Sequence, residues 1–249
     1  VHRDGAALKR FDYIVSNPPF KMDFSDFRDD LDTDASAARF FAGIPKVPGK
    51  AKDKMAVYLL FIQHIIASLK PGGKAAVVVP TGFITASSGI ELRIRQKLVD
   101  EQWIAGVVSM PSNIFATTGT NVSILFIDKG AHNQVVLVDA SALGTKVKEG
   151  KNQKTQLSHA EEQRIVDTFN AREAVEDFSV VVDFEAIAAK NYSLSAGQYF
   201  DVRIEYSDLT PEHFAERVGV YQTNLTRLFS QSSALENEIS DALGRVRRG

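Results

Sequence analysis

The run Ala75-Ala76-Val77-Val78-Val79 constrains the fold more than any other stretch of this sequence. Five apolar residues without polar alternation are expected of a strand buried on both faces, as in sheets covered by helices on each side. The flanks agree with that setting. Ala56–Lys70 reads as an apolar helix, and Pro71-Gly72-Gly73 is expected to close it. Gly89–Glu101 is a second predicted helix. Ile104–Met110, Asn121–Asp128 and Val135–Asp139 read as strands, and so does Phe11–Ser16 upstream, rich in β-branched and aromatic residues. The link between Met110 and Asn121 is too short for a crossover helix, so those two strands should pair antiparallel. The predicted class is α/β: the second half of a doubly wound, Rossmann-like sheet with an antiparallel hairpin, its first half absent.

The remaining segments are of three kinds. Between Phe20 and Ala56, acidic residues (Asp23, Asp26, Asp29, Asp30, Asp32, Asp34) give way to basic ones (Lys46, Lys50, Lys52, Lys54), a pattern expected of a long mobile loop. Gly144–Gln156 is polar and basic, with Lys146, Lys148, Lys151 and Lys154; a solvated loop and a phosphate contact both fit it. Thr210-Pro211-Glu212 then opens a helix in which Phe214, Val218, Tyr221, Leu225, Leu228, Ser232, Leu235, Ile239, Ala242 and Val246 alternate spacings of four and three. That is a heptad seam of coiled-coil type. The expected division is 1–143 for the sheet-bearing domain, 144–209 for a mixed extension and 210–249 for the long helix. The seam either packs on its own domain or meets a partner.

Composition narrows the function classes. Among 249 residues there is no cysteine, which removes disulfides, thiolate zinc sites and a cysteine nucleophile, and fits a reducing cytoplasm. The net charge of −2 argues against a globally basic nucleic-acid binder but allows local basic elements. No apolar run reaches the roughly 20 residues of a membrane span. His2, His64, His132, His159 and His213 are scattered, so no metal site is expected. The chain opens Val1-His2-Arg3-Asp4, without an initiator Met or a signal peptide, and reads as a piece of something longer.

Chemistry concentrates at Asn17-Pro18-Pro19-Phe20, where two prolines end the first strand. Carboxyl tips of strands are where open α/β sheets place ligands. The exocyclic amine of adenine is a poor nucleophile because its lone pair is delocalised into the ring. It must pyramidalise before it attacks, and two fixed acceptors holding both N–H bonds out of plane favour that change. The Asn17 side-chain oxygen is one such acceptor, and the Pro18 carbonyl, on a restricted backbone, is the other. Phe20 offers a face on which a base can stack. A base so held has left its duplex. The plainer reading is a turn that merely ends a strand.

FDYIVSNPPF, Gln63-His64 followed by LKPGGKAAVVVPTGF, MPSNIFATTGTNVSILFIDKG and NYSLSAGQYFDV together resemble the modification (methyltransferase) subunit of type I restriction–modification systems. The resemblance covers nearly the whole chain and corresponds to the C-terminal part of that subunit. It implies a DNA adenine-N6 methyltransferase dependent on S-adenosylmethionine, in which Asn17, Pro18, Pro19 and Phe20 form the site. It also implies a specificity subunit contacted through Phe214, Val218, Tyr221, Leu225, Leu228, Leu235 and Ile239, and a restriction subunit in the same complex. The family's Gly-rich cofactor loop lies on strands before its Asn-Pro-Pro-Phe, and only sixteen residues precede Asn17 here. No cofactor-binding residue is therefore assigned in this chain, which is expected to be inactive alone. Lys50, Lys52 and Lys54 are candidate DNA contacts, Asp53 a candidate helix cap, and Phe115 either flanks the base or packs in the core. Two alternatives remain: a non-catalytic assembly module, and an RNA or protein-glutamine methyltransferase with a related Asn-Pro-Pro motif.

Overall fold

The computed structural model describes residues 3–4, 7–115, 121–150, 152–200 and 210–246. These fall in two compact units, Val1–Phe200 and Asp201–Gly249. The first unit opens with a small antiparallel pair, β1 (Arg3–Asp4) and β2 (Ala7–Leu8), and then β3 (Phe11–Ser16). Two short helices, α1 (Arg28–Leu31) and α2 (Asp34–Ala37), precede α3 (Tyr58–Ser68) and the long strand β4 (Leu69–Pro80). Next come α4 (Thr81–Thr85), α5 (Gly89–Asp100), β5 (Ile104–Ser109), β6 (Val122–Asp128) and β7 (Gln134–Asp139). A hairpin of β8 (Thr145–Glu149) and β9 (Asn152–Gln156) leads to α6 (His159–Ala171), β10 (Ser179–Asp183) and α7 (Phe184–Ala189).

The main sheet has the order β10-β7-β5-β6-β4-β3. β3 runs parallel to β4, with Ser16 opposite Val77, and β4 pairs antiparallel with β6. β5 and β6 are antiparallel as the short link requires, and β5 is parallel to β7. Hence β3, β4, β5 and β7 all end on one edge of the sheet, and Asn17 lies on that edge.

Ala75, Val77 and Val79 point into the main core with Ile62, Ile66, Ile94 and Leu98 of α3 and α5. Their neighbours Ala76 and Val78 are only half-buried, so this strand is not sealed on both faces as expected. The second face is covered chiefly over β5 and β7, by α6. Gly106 makes that approach possible: a Cβ there would sit 2.5 Å from the Phe169 ring and 2.3 Å from the Val136 carbonyl. Toward β3 the cover ends, and Tyr13 and Val15 are 75% and 87% exposed.

Three further expectations are corrected. Pro71-Gly72-Gly73 does not stop a helix at Lys70; β4 already begins at Leu69, and the triplet bulges out between the pairs Phe11–Leu69 and Tyr13–Lys74. Gly72 carries the positive φ of +71° that the bulge needs. The stretch 21–55 is not a bare loop. Phe24, Phe40, Ile44 and Met55 bury themselves against Val57 and Leu60 of the α3 approach, with Leu31 beside them, forming a small core of its own. The fully buried Gln63 fastens this insertion, accepting from Ala42 N–H at 2.8 Å and donating to the Gly43 carbonyl at 3.0 Å. Finally, the segment expected as a loop at 144–156 is the β8–β9 hairpin, with Lys146 opposite Thr155 and Lys148 opposite Gln153.

Two helices begin on strong local signals. Ser158 and Glu161 form a capping box at α6, and Asp183 accepts from Ala186 N–H at 2.7 Å at α7. By contrast, α3 has Val57 at its cap position without a side-chain cap bond, and Asp53 sits in a separate 3₁₀ turn, Lys52–Lys54. Asp53 therefore does not cap α3.

The second unit holds α8 (Pro211–Val246), 36 residues and about 54 Å long at 1.5 Å per residue. Phe214, Tyr221, Leu225, Leu228, Leu235 and Ile239 are each at least half exposed, and Val218 is partly exposed. The side chains of Ala242 and Val246 lie outside the described residues. Among the described residues, no helix is long and apolar enough to cross a membrane.

Candidate active site

Pro18 and Pro19 force the chain out of the sheet, and Asn17 lies just beyond the last β3–β4 pair, Ser16–Val77. Asn17 is exposed, Pro18 buried and Pro19 exposed, while Phe20 is half-buried against the main core. Among the described residues the Asn17 side chain makes no hydrogen bond, so its amide is open to a ligand.

Phe20 is fixed from behind. Its ring meets Tyr58 edge-on, with centroids 6.2 Å apart and planes at 74°. Tyr58, the first residue of α3, meets Phe83 of α4 in the same way at 6.3 Å and 83°. The guanidinium of Arg95, from α5, lies over Phe83 at 5.9 Å. This series of contacts runs from the exposed strand tip to the centre of the unit. Burial raises the Tyr58 hydroxyl above the usual phenol range, and Glu91, 3.4 Å away, adds to the effect. The hydroxyl is thus a proton donor across the physiological range and is not a base.

Arg95 is fully buried and binds main chain rather than a carboxylate. It donates from Nε to the Tyr192 carbonyl at 2.8 Å, from Nη1 to that of Phe83 and from Nη2 to that of Ala86. Burial lowers its pKa to about 10, against the opposing pull of Glu91, so it stays charged at neutral pH. Arg95 therefore ties α4, which follows the β4 tip, to the segment Asn191-Tyr192-Ser193-Leu194. Leu194 N–H adds a bond to the Ile84 carbonyl at 2.9 Å. None of Tyr58, Gln63 or Arg95 was legible as a site support. The available signal was a polar residue inside each apolar pattern: Gln63 in YLLFIQHII and Arg95 beside Ile94 and Leu98.

The lysines proposed for DNA are exposed. Lys50, Lys52 and Lys54 sit on the turn before Met55, whose carbonyl accepts from Met22 N–H at 3.1 Å. That bond draws the basic turn to the chain just past Phe20. Phe115 is 37% exposed. Thr118-Gly119-Thr120 lies outside the described residues. Among those described, no three His, Asp or Glu side chains gather as metal ligands, and His132 is held between the carbonyls of Ile104 and Gly130.

A family model described as N-6 DNA Methylase matches residues 1–208. The chain belongs to that family. It is 28% identical, over 95% of its length, to the type I restriction enzyme MpnII methylase subunit of Mycoplasma pneumoniae, and covers 40% of that protein. It is 30% identical, over 98% of its length, to the MjaIX methylase subunit of Methanocaldococcus jannaschii, covering 44%. Among solved structures, the type I restriction-modification methyltransferase subunit from Streptococcus thermophilus superposes with a TM-score of 0.60 at 27% identity, over 78% of this chain and 39% of that one. The chain thus spans less than half the length of these relatives.

The described residues do not present a nucleotide cradle for S-adenosylmethionine. β3 ends in two prolines, and the β4 tip turns into helix through Gly82 alone, where a dinucleotide-type cradle uses several glycines.

Proposed function

We propose that this chain carries the target-base site of a DNA adenine-N6 methyltransferase subunit of type I restriction–modification systems. The observation that supports it best is the exposed Asn17 on a tip backed by Phe20, Tyr58 and Phe83, within a chain of this family. In this reading Asn17 and the Pro18 carbonyl accept the two N–H bonds of a flipped adenine, and Pro19 holds the turn. Phe20 stacks on the ring. The methyl donor would be S-adenosylmethionine, which the described residues do not themselves cradle. Lys50, Lys52 and Lys54 neutralise nearby phosphates without reading sequence. The chain by itself is inactive.

Methylation of DNA by the whole subunit in its complex, with digestion to nucleosides and mass spectrometry, tests the reading. N6-methyladenine is the expected product. Label in cytosine, RNA or protein glutamine instead would end it.

The exposed seam on α8 supports assembly with the specificity subunit, and through it the restriction subunit. A lone helix with this much apolar surface gains stability by packing it. Substituting Leu225, Leu228 and Leu235 together by Lys should abolish co-purification with the specificity subunit, because three ammonium groups would enter an apolar seam. Retained assembly would assign the seam to another role.

A further inference from the structure

Resting on the reading above, we propose that the β8–β9 hairpin is a phosphate-binding ribbon that grips the backbone of duplex DNA beside the Asn17 tip. The segment 145–156 holds four lysines and one acidic residue in a chain of net charge −2. It is not a loose basic loop. Gly144, at φ +85°, starts the hairpin, and its N–H donates to Glu161 Oε1 at 2.8 Å. The same carboxylate caps α6 at Ser158, and these bonds hold its pKa below the usual range, so the anchor persists at neutral pH. On the other strand, Thr155 is buried, and its N–H donates to the Asn113 carbonyl at 2.9 Å. Asn113 lies just past the end of β5. The ribbon is therefore pinned to the sheet edge on which β3 delivers Asn17.

The spacings suit a duplex. β5 and β3 are three strand places apart, roughly 14 Å at the usual strand spacing. That is comparable to the roughly 12 Å width of a major groove, whose flanking phosphates would face a ribbon so placed. Lys146 and Lys148 are both exposed and alternate along one strand, so they leave the same face roughly 7 Å apart. Phosphates of one DNA strand rise roughly 3.4 Å per step along the axis and lie further apart around the helix, so the two lysines match neighbouring phosphates. Neither forms an ion pair among the described residues. A rigid mount also lowers the ordering cost of the contact.

The test uses the whole subunit assembled with its partner chains and a fluorescein-labelled DNA duplex of arbitrary sequence, since phosphate contacts are sequence-independent. Anisotropy gives Kd across a salt series for wild type, for Lys146→Gln/Lys148→Gln, and for Lys146→Arg/Lys148→Arg. The Gln pair should weaken binding at low salt and flatten the slope of log K against log salt by about 1.8, two contacts at about 0.9 each. The Arg pair should keep the wild-type slope. An unchanged slope in the Gln pair, with adenine methylation present in wild type, overturns the ribbon and leaves the proposed function standing. Absence of DNA binding and of adenine methylation in wild type overturns both.

Discussion

Asn17→Ala should lower the rate of adenine methylation by the whole subunit roughly 10²- to 10³-fold, the usual cost of removing one preorganised polar partner from a transition state. The loss should appear in kcat and kcat/KM alike. In the ground state the amine is planar and needs no second acceptor. The interaction tightens only as the nitrogen pyramidalises, so its removal raises the barrier more than it weakens binding. Duplex affinity should barely change, because phosphate contacts dominate it and Asn17 makes none. Structurally the substitution is mild: Asn17 is exposed and holds no neighbour by a hydrogen bond among the described residues. Asn17→Asp keeps an acceptor at the same place and should retain more activity than the alanine variant. Equal kcat in wild type and Asn17→Ala would show that the strand tip only ends β3, as any Asn-Pro-Pro turn would.

The same residue shows what sequence alone made legible. The position of Asn17 follows from local rules: a β-branched strand, two prolines, and the habit of open sheets to bind at strand tips. The antiparallel pairing of β5 and β6 follows from the length of their link, a counting argument that needs no tertiary knowledge. What escaped depends on contacts distant in sequence. The core of the 21–55 insertion forms because Phe24, Phe40, Ile44 and Met55 find Val57 and Leu60, and their irregular spacing carries no period. The β8–β9 hairpin has polar residues on both faces, so alternation of hydrophobicity gives no strand signal. The half-open face at Ala76 and Val78 depends on where α6 stops covering the sheet, and a run of apolar residues cannot report that.

Arg95→Met should destabilise the first unit by about 3–5 kcal/mol, the range for breaking a buried charged network from one side. Methionine nearly fills the space of the aliphatic stem, so little of the loss comes from a cavity. The cost comes from the carbonyls of Phe83, Ala86 and Tyr192, which belong to the main chain and cannot be mutated away. Each loses a charged donor, at Phe83 in a buried place and at Ala86 and Tyr192 in a partly buried one, and each unmade bond costs about 1–3 kcal/mol, less what local relaxation recovers. Arg95→Lys should restore only part of the stability, since one ammonium on a flexible stem cannot reach three acceptors that a planar guanidinium spans. Thermal unfolding measures this directly: about 1 kcal/mol shifts the midpoint of a unit this size by roughly 2–4 °C, so Arg95→Met should melt about 10 °C early. A midpoint within about 2 °C of wild type would mean the carbonyls find other donors. The consequence would reach the strand tip, because Arg95 lies over Phe83, Phe83 backs Tyr58 and Tyr58 backs Phe20. Loosening α4 and the Tyr192 segment would weaken the wall against which the Phe20 ring, proposed to stack on the base, is set. A buried cation far from the strand tip therefore bears on how firmly Phe20 is held there.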